Sequence, residues 1–243
     1  MVTLAALSGG KDSTAMVLLM AEAGEQFECL FTPTGDELPE VAEHIDRVIK
    51  RICRPLVKLD AKPLSFWVES QKALPNWRQR WCTRLIKIEP CVRHMKSLPE
   101  RPILCVGLRA DEPERKGLYD DCAEYRYPLR ERGLNKQDVI NTCKRAGLMP
   151  PARTDCALCF AQRLSEWREL WREHPDRYAR GEAWEAEIGH TLRSPGRDTW
   201  PAPLSELRKR FEAGYLPRGA TDQLDLIDDD QYEDEGPCRV CRL

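Results

Sequence analysis

An apolar run, Val2–Leu7, breaks into Ser8-Gly9-Gly10-Lys11-Asp12-Ser13 and passes at once into a helical pattern that ends at Ala23 and Gly24. A buried strand, a glycine turn and a helix in immediate succession commit the chain to a βα unit. The turn then lies between strand and helix, where backbone N–H groups and a helix N-terminus hold an oxyanion. Two consecutive glycines let backbone approach phosphate closely, Ser8 and Ser13 add hydroxyls, and Lys11 adds positive charge. Asp12 or Ser13 is expected to cap the helix. The spacing is neither that of a Walker A loop nor the G-x-G-x-x-G of dinucleotide sites.

The alternation continues. Phe27–Phe31, Leu56–Leu59 and Ile103–Gly107 read as further strands, Pro39–Ile52 as a helix with proline in its first turn, and Cys82–Ser97 as a basic helix. Strands alternating with helices predict an α/β fold, a parallel twisted sheet with helices on both faces. Ligands on such sheets sit at the carboxyl ends of the strands, where Ser8–Ser13, Thr34–Glu37 and Arg109–Arg115 fall. Beyond about residue 130 the pattern is helical only, over Asn135–Ala146, Leu164–Glu173 and Asp176–Ile188, and from His190 on little regular structure is expected. The expected division is a nucleotide-binding α/β domain over 1–130, a helical Cys-x-x-Cys region over 131–190 and an irregular acidic tail over 191–243.

With 42% apolar and 32% charged residues among 243, the chain can bury an ordinary core, which excludes wholesale disorder. No apolar stretch approaches the ~18 residues of a membrane span, and the N-terminus has no signal-peptide profile, so a cytoplasmic protein is expected. Net charge is −2 but unevenly spread. Lys72–Arg101 holds eight Lys or Arg against two Glu, which suits a polyanionic ligand such as a nucleotide or nucleic acid, or a solvated helix face. Asp222–Glu235 holds eight Asp or Glu and no base, as in an exposed connector.

There are 11 cysteines, an odd count for a secreted disulfide scaffold, and a reducing compartment is expected. Cys29, Cys53, Cys105 and Cys143 fall in strand or helix patterns as small buried hydrophobes; Cys91 and Cys122 fit no pattern. Cys156-Ala-Leu-Cys159 is compatible with a metal site, a redox pair or two unrelated thiols. Cys82 is a third candidate ligand, and Cys238 and Cys241 form a terminal pair in which Arg239 or Arg242 would favour thiolate. Trp167 and Trp171, at helical spacing, are expected in the core.

Ser8-Gly-Gly-Lys-Asp-Ser-Thr14 resembles the signature of the PP-loop, or adenine nucleotide alpha-hydrolase, superfamily. Four further segments resemble its phosphoadenosine phosphosulfate (PAPS) reductase branch. Thr34-Gly-Asp-Glu-Leu-Pro-Glu40 is similar to T-G-x-E-x-P-E, and Cys82 to Pro90 is similar to C-x-x-x-x-K-x-x-P. Gly107 to Arg115 is similar to G-x-R-x-x-E-x-x-R. Tyr127-Pro-Leu with Asp138-Val resembles the segment that precedes the family's C-x-x-C. The resemblance also extends to the sulfurtransferase of DNA phosphorothioate modification.

That resemblance implies an adenine nucleotide with its phosphates on Ser8, Gly9, Gly10, Lys11, Asp12 and Ser13, and its nucleoside near Thr34, Gly35 and Asp36. Lys87, Arg109 and Arg115, and also Arg84, are implied phosphate or sulfate contacts. It implies a [4Fe–4S] cluster on Cys82, Cys156 and Cys159, with zinc as the alternative. Trp81 stands where adenylylsulfate reductases carry the first cysteine of a pair, so the fourth ligand would be Cys238 or Cys241, or one iron would stay open. Lys11, Asp12, Cys238 and Cys241 are the candidate catalytic residues.

One implied reaction is ATP-dependent sulfur transfer with Mg²⁺, in which ATP is cleaved between its α and β phosphates and the acceptor is a nucleic acid or another partner served by a sulfur-donor protein. The other is thiol-dependent reduction of PAPS or adenylylsulfate to sulfite, with thioredoxin as partner. Glu235-Gly-Pro-Cys238 departs from the Glu-Cys-Gly tail of that second class. A non-catalytic nucleotide-binding module is a third reading.

Overall fold

The structure is a computed structural model that describes residues 1–115 and 122–218. Cys238, Cys241 and the acidic stretch before them lie outside the described residues. By packing, the described chain separates into two units, one of Met1–Ala61 with Arg84–Thr154 and one of Lys62–Thr83 with the residues from Asp155 on. This cut differs from the division by pattern at 130 and 190, because helix α6 (Lys136–Arg145) packs on α1 (Lys11–Glu22).

The first unit is a five-stranded parallel sheet in the order β3-β2-β1-β4-β5, formed by β1 (Thr3–Ala6), β2 (Glu28–Phe31), β3 (Leu56–Lys58), β4 (Ile103–Cys105) and β5 (Glu124–Arg126). β1 is central, with Leu4 opposite Glu28 on one side and Leu104 on the other. Strand order reverses at β1, and such a switch point is the usual ligand position in open α/β sheets. Leu4, Leu30, Leu59 and Leu104 pack with Cys91 and Met95 of α4 (Glu89–Ser97) to form the core.

Helix α2 (Pro39–Ile52) matches its expected bounds, because Val41, His44, Ile45, Val48 and Ile52 form one buried stripe. It ends at Cys53 with φ 50. Cys53 is exposed rather than buried, since the left-handed cap turns it away from the core stripe. Cys29, Cys105 and Cys143 are buried as expected, and so is Cys91.

The basic helix expected over Cys82–Ser97 is divided. Thr83–Ile88 is a π-helical turn that leads into α4. Pro90 has no N–H to offer the carbonyl of Ile86, which breaks the α-helical ladder where the wider turn occurs. β5 and the short α5 (Pro128–Glu131) were not expected.

In the second unit, α3 (Leu64–Gln71) accompanies three mutually packed helices, α7 (Leu164–Glu173), α8 (Pro175–Ile188) and α9 (Leu204–Glu212). α3 and α9 are helices the pattern did not predict. Trp167 is fully buried and meets Tyr178 edge-on at 6.3 Å; the Tyr178 hydroxyl donates to the Leu204 carbonyl at 2.8 Å. Trp171 packs on Phe211 at 5.7 Å. Among the described residues no helix is long and apolar enough to cross a membrane.

Candidate nucleotide and thiol sites

Ser8–Gly10 connects β1 to α1, with Gly9 at φ 82 and Gly10 in the N-cap position. Neither Asp12 nor Ser13 caps the helix, contrary to expectation; both lie inside its first turn. The Ser13 hydroxyl instead ties the loop together. It accepts from the Ser8 N–H at 3.2 Å, donates to the Gly10 carbonyl at 3.0 Å and lies 3.2 Å from the Ser8 hydroxyl. A side chain at Gly9 would meet Val41 and Ile45 of α2 at 3.2 and 3.3 Å. The loop is thus fixed from within and from behind, and the first-turn N–H groups of α1 have no intrahelical acceptor.

The β4 loop closes the other wall. A Cβ on Gly107 would stand 3.0 Å from the Asp12 carbonyl carbon and oxygen and 3.1 Å from Ser13 N, so only glycine permits this approach to the α1 terminus. Next comes Arg109, 7% exposed. Its Nη1 donates to both Asp12 carboxylate oxygens at 3.0 Å, its Nε donates to Asp111 at 2.9 Å, and its Nη2 lies 3.3 Å from Glu112. Burial opposes the Arg109 charge, but Asp12, Asp111 and Glu112 outweigh it and hold the guanidinium above its ordinary range. Arg115 also pairs with Glu112, at 3.0 Å. Lys11 Nζ lies 3.8 Å from Asp12, which is therefore flanked by two cations.

Arg130, which the sequence reading did not single out, straps this loop from α5. Its Nη2 donates to the carbonyls of Glu112 at 2.6 Å and Arg115 at 3.1 Å, and its guanidinium lies 4.9 Å from the Tyr127 ring centroid. Its only sequence signal was its place directly after Tyr127-Pro-Leu.

After β2, Thr34, Gly35, Asp36 and Glu37 form a closed turn. The Glu37 carboxylate accepts from the Thr34 N–H at 2.5 Å and its hydroxyl at 2.7 Å, and the Thr34 hydroxyl accepts from the Asp36 N–H at 3.2 Å. Thr34 and Asp36 are buried and Gly35 is exposed. Lys87 lies half-buried in the π-helical turn, whereas Arg84 is exposed and paired with Glu89 at 2.8 Å. Behind the loop, buried His44 shares a 3.0 Å hydrogen bond with the Thr14 hydroxyl. Cys143 donates to the Lys11 carbonyl at 3.6 Å; burial pushes this thiol up to about 12, with Asp12 adding to the effect.

In the second unit Cys82 and Cys156 pack against a buried cluster of Cys159, Phe160 and Ala161. The Cys-x-x-Cys segment is a tight turn, with Cys159 N–H donating to the Cys156 carbonyl at 3.1 Å and the Gln162 side chain donating to the Ala157 carbonyl at 2.6 Å. Three of the four expected ligands therefore share one patch; Cys238 lies outside the described residues. Burial pushes the Cys159 thiol well above its ordinary value, and Asp155, Cys156 and Cys82 add to this. Three neighbouring sulfur donors in a partly buried setting are of the chemical kind that a soft cation prefers, as in an iron–sulfur cluster or a zinc site. Among the described residues no group of three His, Cys, Asp or Glu side chains closes as a ligand set for a metal ion.

A glycine loop at the switch point of a parallel sheet, walled by the Gly107–Arg115 segment, defines an open α/β fold with its candidate site at the carboxyl ends of the strands. Residues 3–119 match the model of the phosphoadenosine phosphosulfate reductase domain family. An uncharacterized protein of Methanocaldococcus jannaschii is 23% identical over 75% of this chain. An uncharacterized 37.8 kDa protein of Escherichia phage 186 is 24% identical over 95% of this chain and 85% of its own length. The chain spans 40% of that Methanocaldococcus relative and 22% of a second from the same organism, which is 32% identical over 37% of this chain.

Among solved structures, the phosphoadenylyl-sulfate reductase of Candida auris in its phosphate complex is 13% identical, with a TM-score of 0.49 over 62% of this chain and 75% of that one. The U34-tRNA thiolase of Methanococcus maripaludis, with its [4Fe–4S] cluster, is 13% identical, with a TM-score of 0.41 over 90% and 83%.

Proposed function

We propose that the Ser8–Ser13 loop binds the phosphates of an adenine nucleotide and that the protein acts in ATP-dependent sulfur transfer, with an iron–sulfur cluster on Cys82, Cys156 and Cys159. The observation that carries this reading is the gathering of these three thiols, from distant parts of the chain, in one patch. First-turn N–H groups of α1, the Ser8 hydroxyl and Lys11 receive the phosphates. Asp12, held by Arg109, would share Mg²⁺ with the nucleotide's own oxygens. An acceptor oxygen attacks the α-phosphorus and pyrophosphate leaves; a sulfur nucleophile then displaces AMP. Fixed donors around the developing charge are the main catalytic contribution. A bound cluster would supply thiolate-held iron as a site for sulfur.

Arg109 is a contact to the nucleotide only if one of its carboxylate partners exchanges for phosphate, since all three nitrogens face Asp12, Asp111 or Glu112. Its role in the closed loop is to orient Asp12.

The second reading, reduction of PAPS or adenylylsulfate, is favoured by the family of the matched domain. A thiolate attacks the sulfate sulfur, the adenine nucleotide leaves, and a dithiol reductant such as thioredoxin releases sulfite. Anaerobic purification with iron, sulfide and zinc analysis, followed by parallel assays, separates the two. AMP and pyrophosphate from ATP, with iron and sulfide bound, support sulfur transfer. Sulfite from PAPS or adenylylsulfate with no ATP cleavage overturns it.

A further inference from the structure

Beside the thiol patch stands an aromatic side chain that neither reading employs. Trp77 is 41% exposed, a large fraction for an indole, while its ring meets Phe160 at 5.3 Å and an interplanar angle of 87°. Phe160 is itself buried in the cluster with Cys159, so the indole is one residue's packing away from the thiols. The Arg197 guanidinium lies 5.9 Å from the Trp77 centroid, and its Nη1 donates to the Gln162 carbonyl at 3.1 Å. The segment is not a loose loop: the Asn76 side chain accepts from the N–H groups of Arg78 and Gln79, both at 2.9 Å. Asn76–Arg84 interleaves Trp77 and Trp81 with Arg78, Arg80 and Arg84 and contains no carboxylate.

An exposed aromatic face on a rigid turn, flanked by arginines, is the arrangement that stacks a nucleobase and holds its phosphates. An apolar protein partner would not be served by the arginines beside the indole, Arg78 next in sequence and Arg197 over its ring, and a free anion would not need the ring. We infer that Trp77, with Arg78 and Arg197, forms a stacking platform for a base of single-stranded nucleic acid beside Cys82, Cys156 and Cys159. The binding site stands whatever chemistry the glycine loop performs. As the place of the sulfur acceptor, it rests on the reading above.

The test is fluorescence anisotropy of a short fluorescein-labelled single strand, DNA and RNA in separate arms, with the full chain. Trp77→Ala is expected to weaken binding roughly 5- to 150-fold, the range for loss of one base–aromatic stack. Trp77→Phe, which keeps a flat ring against Phe160, is expected to restore most of it. Arg78→Gln should weaken binding and flatten its salt dependence. Calorimetric titration of ATP into the same variants separates the two possible sources of a base. A loss confined to the strand supports the platform. No binding of either strand, equal binding by wild type and Trp77→Ala, or a matching loss of ATP affinity each overturns it. Failure of ATP to bind the wild type would remove the nucleotide reading and leave this result standing.

Discussion

Ser13 shows how much one hydroxyl does. It is at once acceptor for Ser8 N–H, partner of the Ser8 hydroxyl and donor to Gly10. Ser13→Ala removes all three and leaves the Ser8 N–H without that acceptor. With a net ~1 kcal/mol per hydrogen bond, partly recovered by water, nucleotide affinity is expected to fall about tenfold or more, as calorimetry would show.

His44 makes a different prediction. Burial, with Arg47 nearby, holds its imidazole down at about 4 against an ordinary 6.5, and its Nδ1 is buried with no hydrogen-bond partner. Between those values the unfolded chain binds the proton more readily. The His44 contribution is therefore complete above pH 6.5 and is lost as pH falls towards 4, by up to about 3 kcal/mol. In urea titrations at several pH values, His44→Gln should flatten that slope. An unchanged slope would show that the imidazole titrates freely in the folded protein.

At the scale of elements, the approach of the β4 loop to α1 is a backbone-on-backbone contact through Gly107. Gly107→Ala forces the two apart, and a loss of about 1–3 kcal/mol is expected from overpacking, together with weakened nucleotide binding. Ala110, one position beyond Arg109 and half-buried, serves as the control site for a small substitution in the same loop.

Which elements could be read from the sequence follows from how each is stabilised. α2 was legible because burial alone defines it: five apolar or buried positions repeat at helical spacing. β5 was not, because Glu124-Tyr-Arg126 has no apolar alternation and exists by pairing with β4. α9 was hidden by the proline- and glycine-rich stretch before it, although Leu204, Leu207 and Phe211 form its buried stripe. The glycine loop and the three thiols were legible as motifs. The Arg109 network was not, because a motif gives the residue type and not which carboxylates surround it. Cys53 was misplaced because a helix-end residue in the left-handed conformation leaves the periodicity that its neighbours obey.

At the scale of the whole molecule, the two units carry opposite responses to acid. Glu185 on α8 accepts from the Leu204 N–H at 2.6 Å, at the start of α9, and from the Leu192 N–H at 2.9 Å. Burial pushes its carboxyl up to about 7 from 4.5 against the lowering effect of those two donors. The folded state then binds the proton more readily, so this contribution is complete below pH 4.5 and is lost as pH rises through about 7. His44 in the first unit has the reverse sign. All seven tryptophans, Trp67, Trp77, Trp81, Trp167, Trp171, Trp184 and Trp200, lie in the second unit, so their fluorescence reports that unit alone. As pH falls from 7 to 5, the fluorescence midpoint in urea is expected to rise relative to the midpoint from far-UV circular dichroism. Coincident midpoints at every pH would mean that the units unfold as one, with a pH dependence that is the sum of the two contributions.

The second unit is made of two pieces of chain that flank residues 84–154. During synthesis, Cys82 leaves the ribosome long before Cys156 and Cys159 exist as its neighbours. The three thiols can meet only after everything between them has been made. Any metal held by this patch would thereby be loaded after translation of the sheet unit, and a fragment starting at Asp155 would lack one of the three thiols. Any expression strategy for the cysteine site has to retain the chain from Lys62 onward.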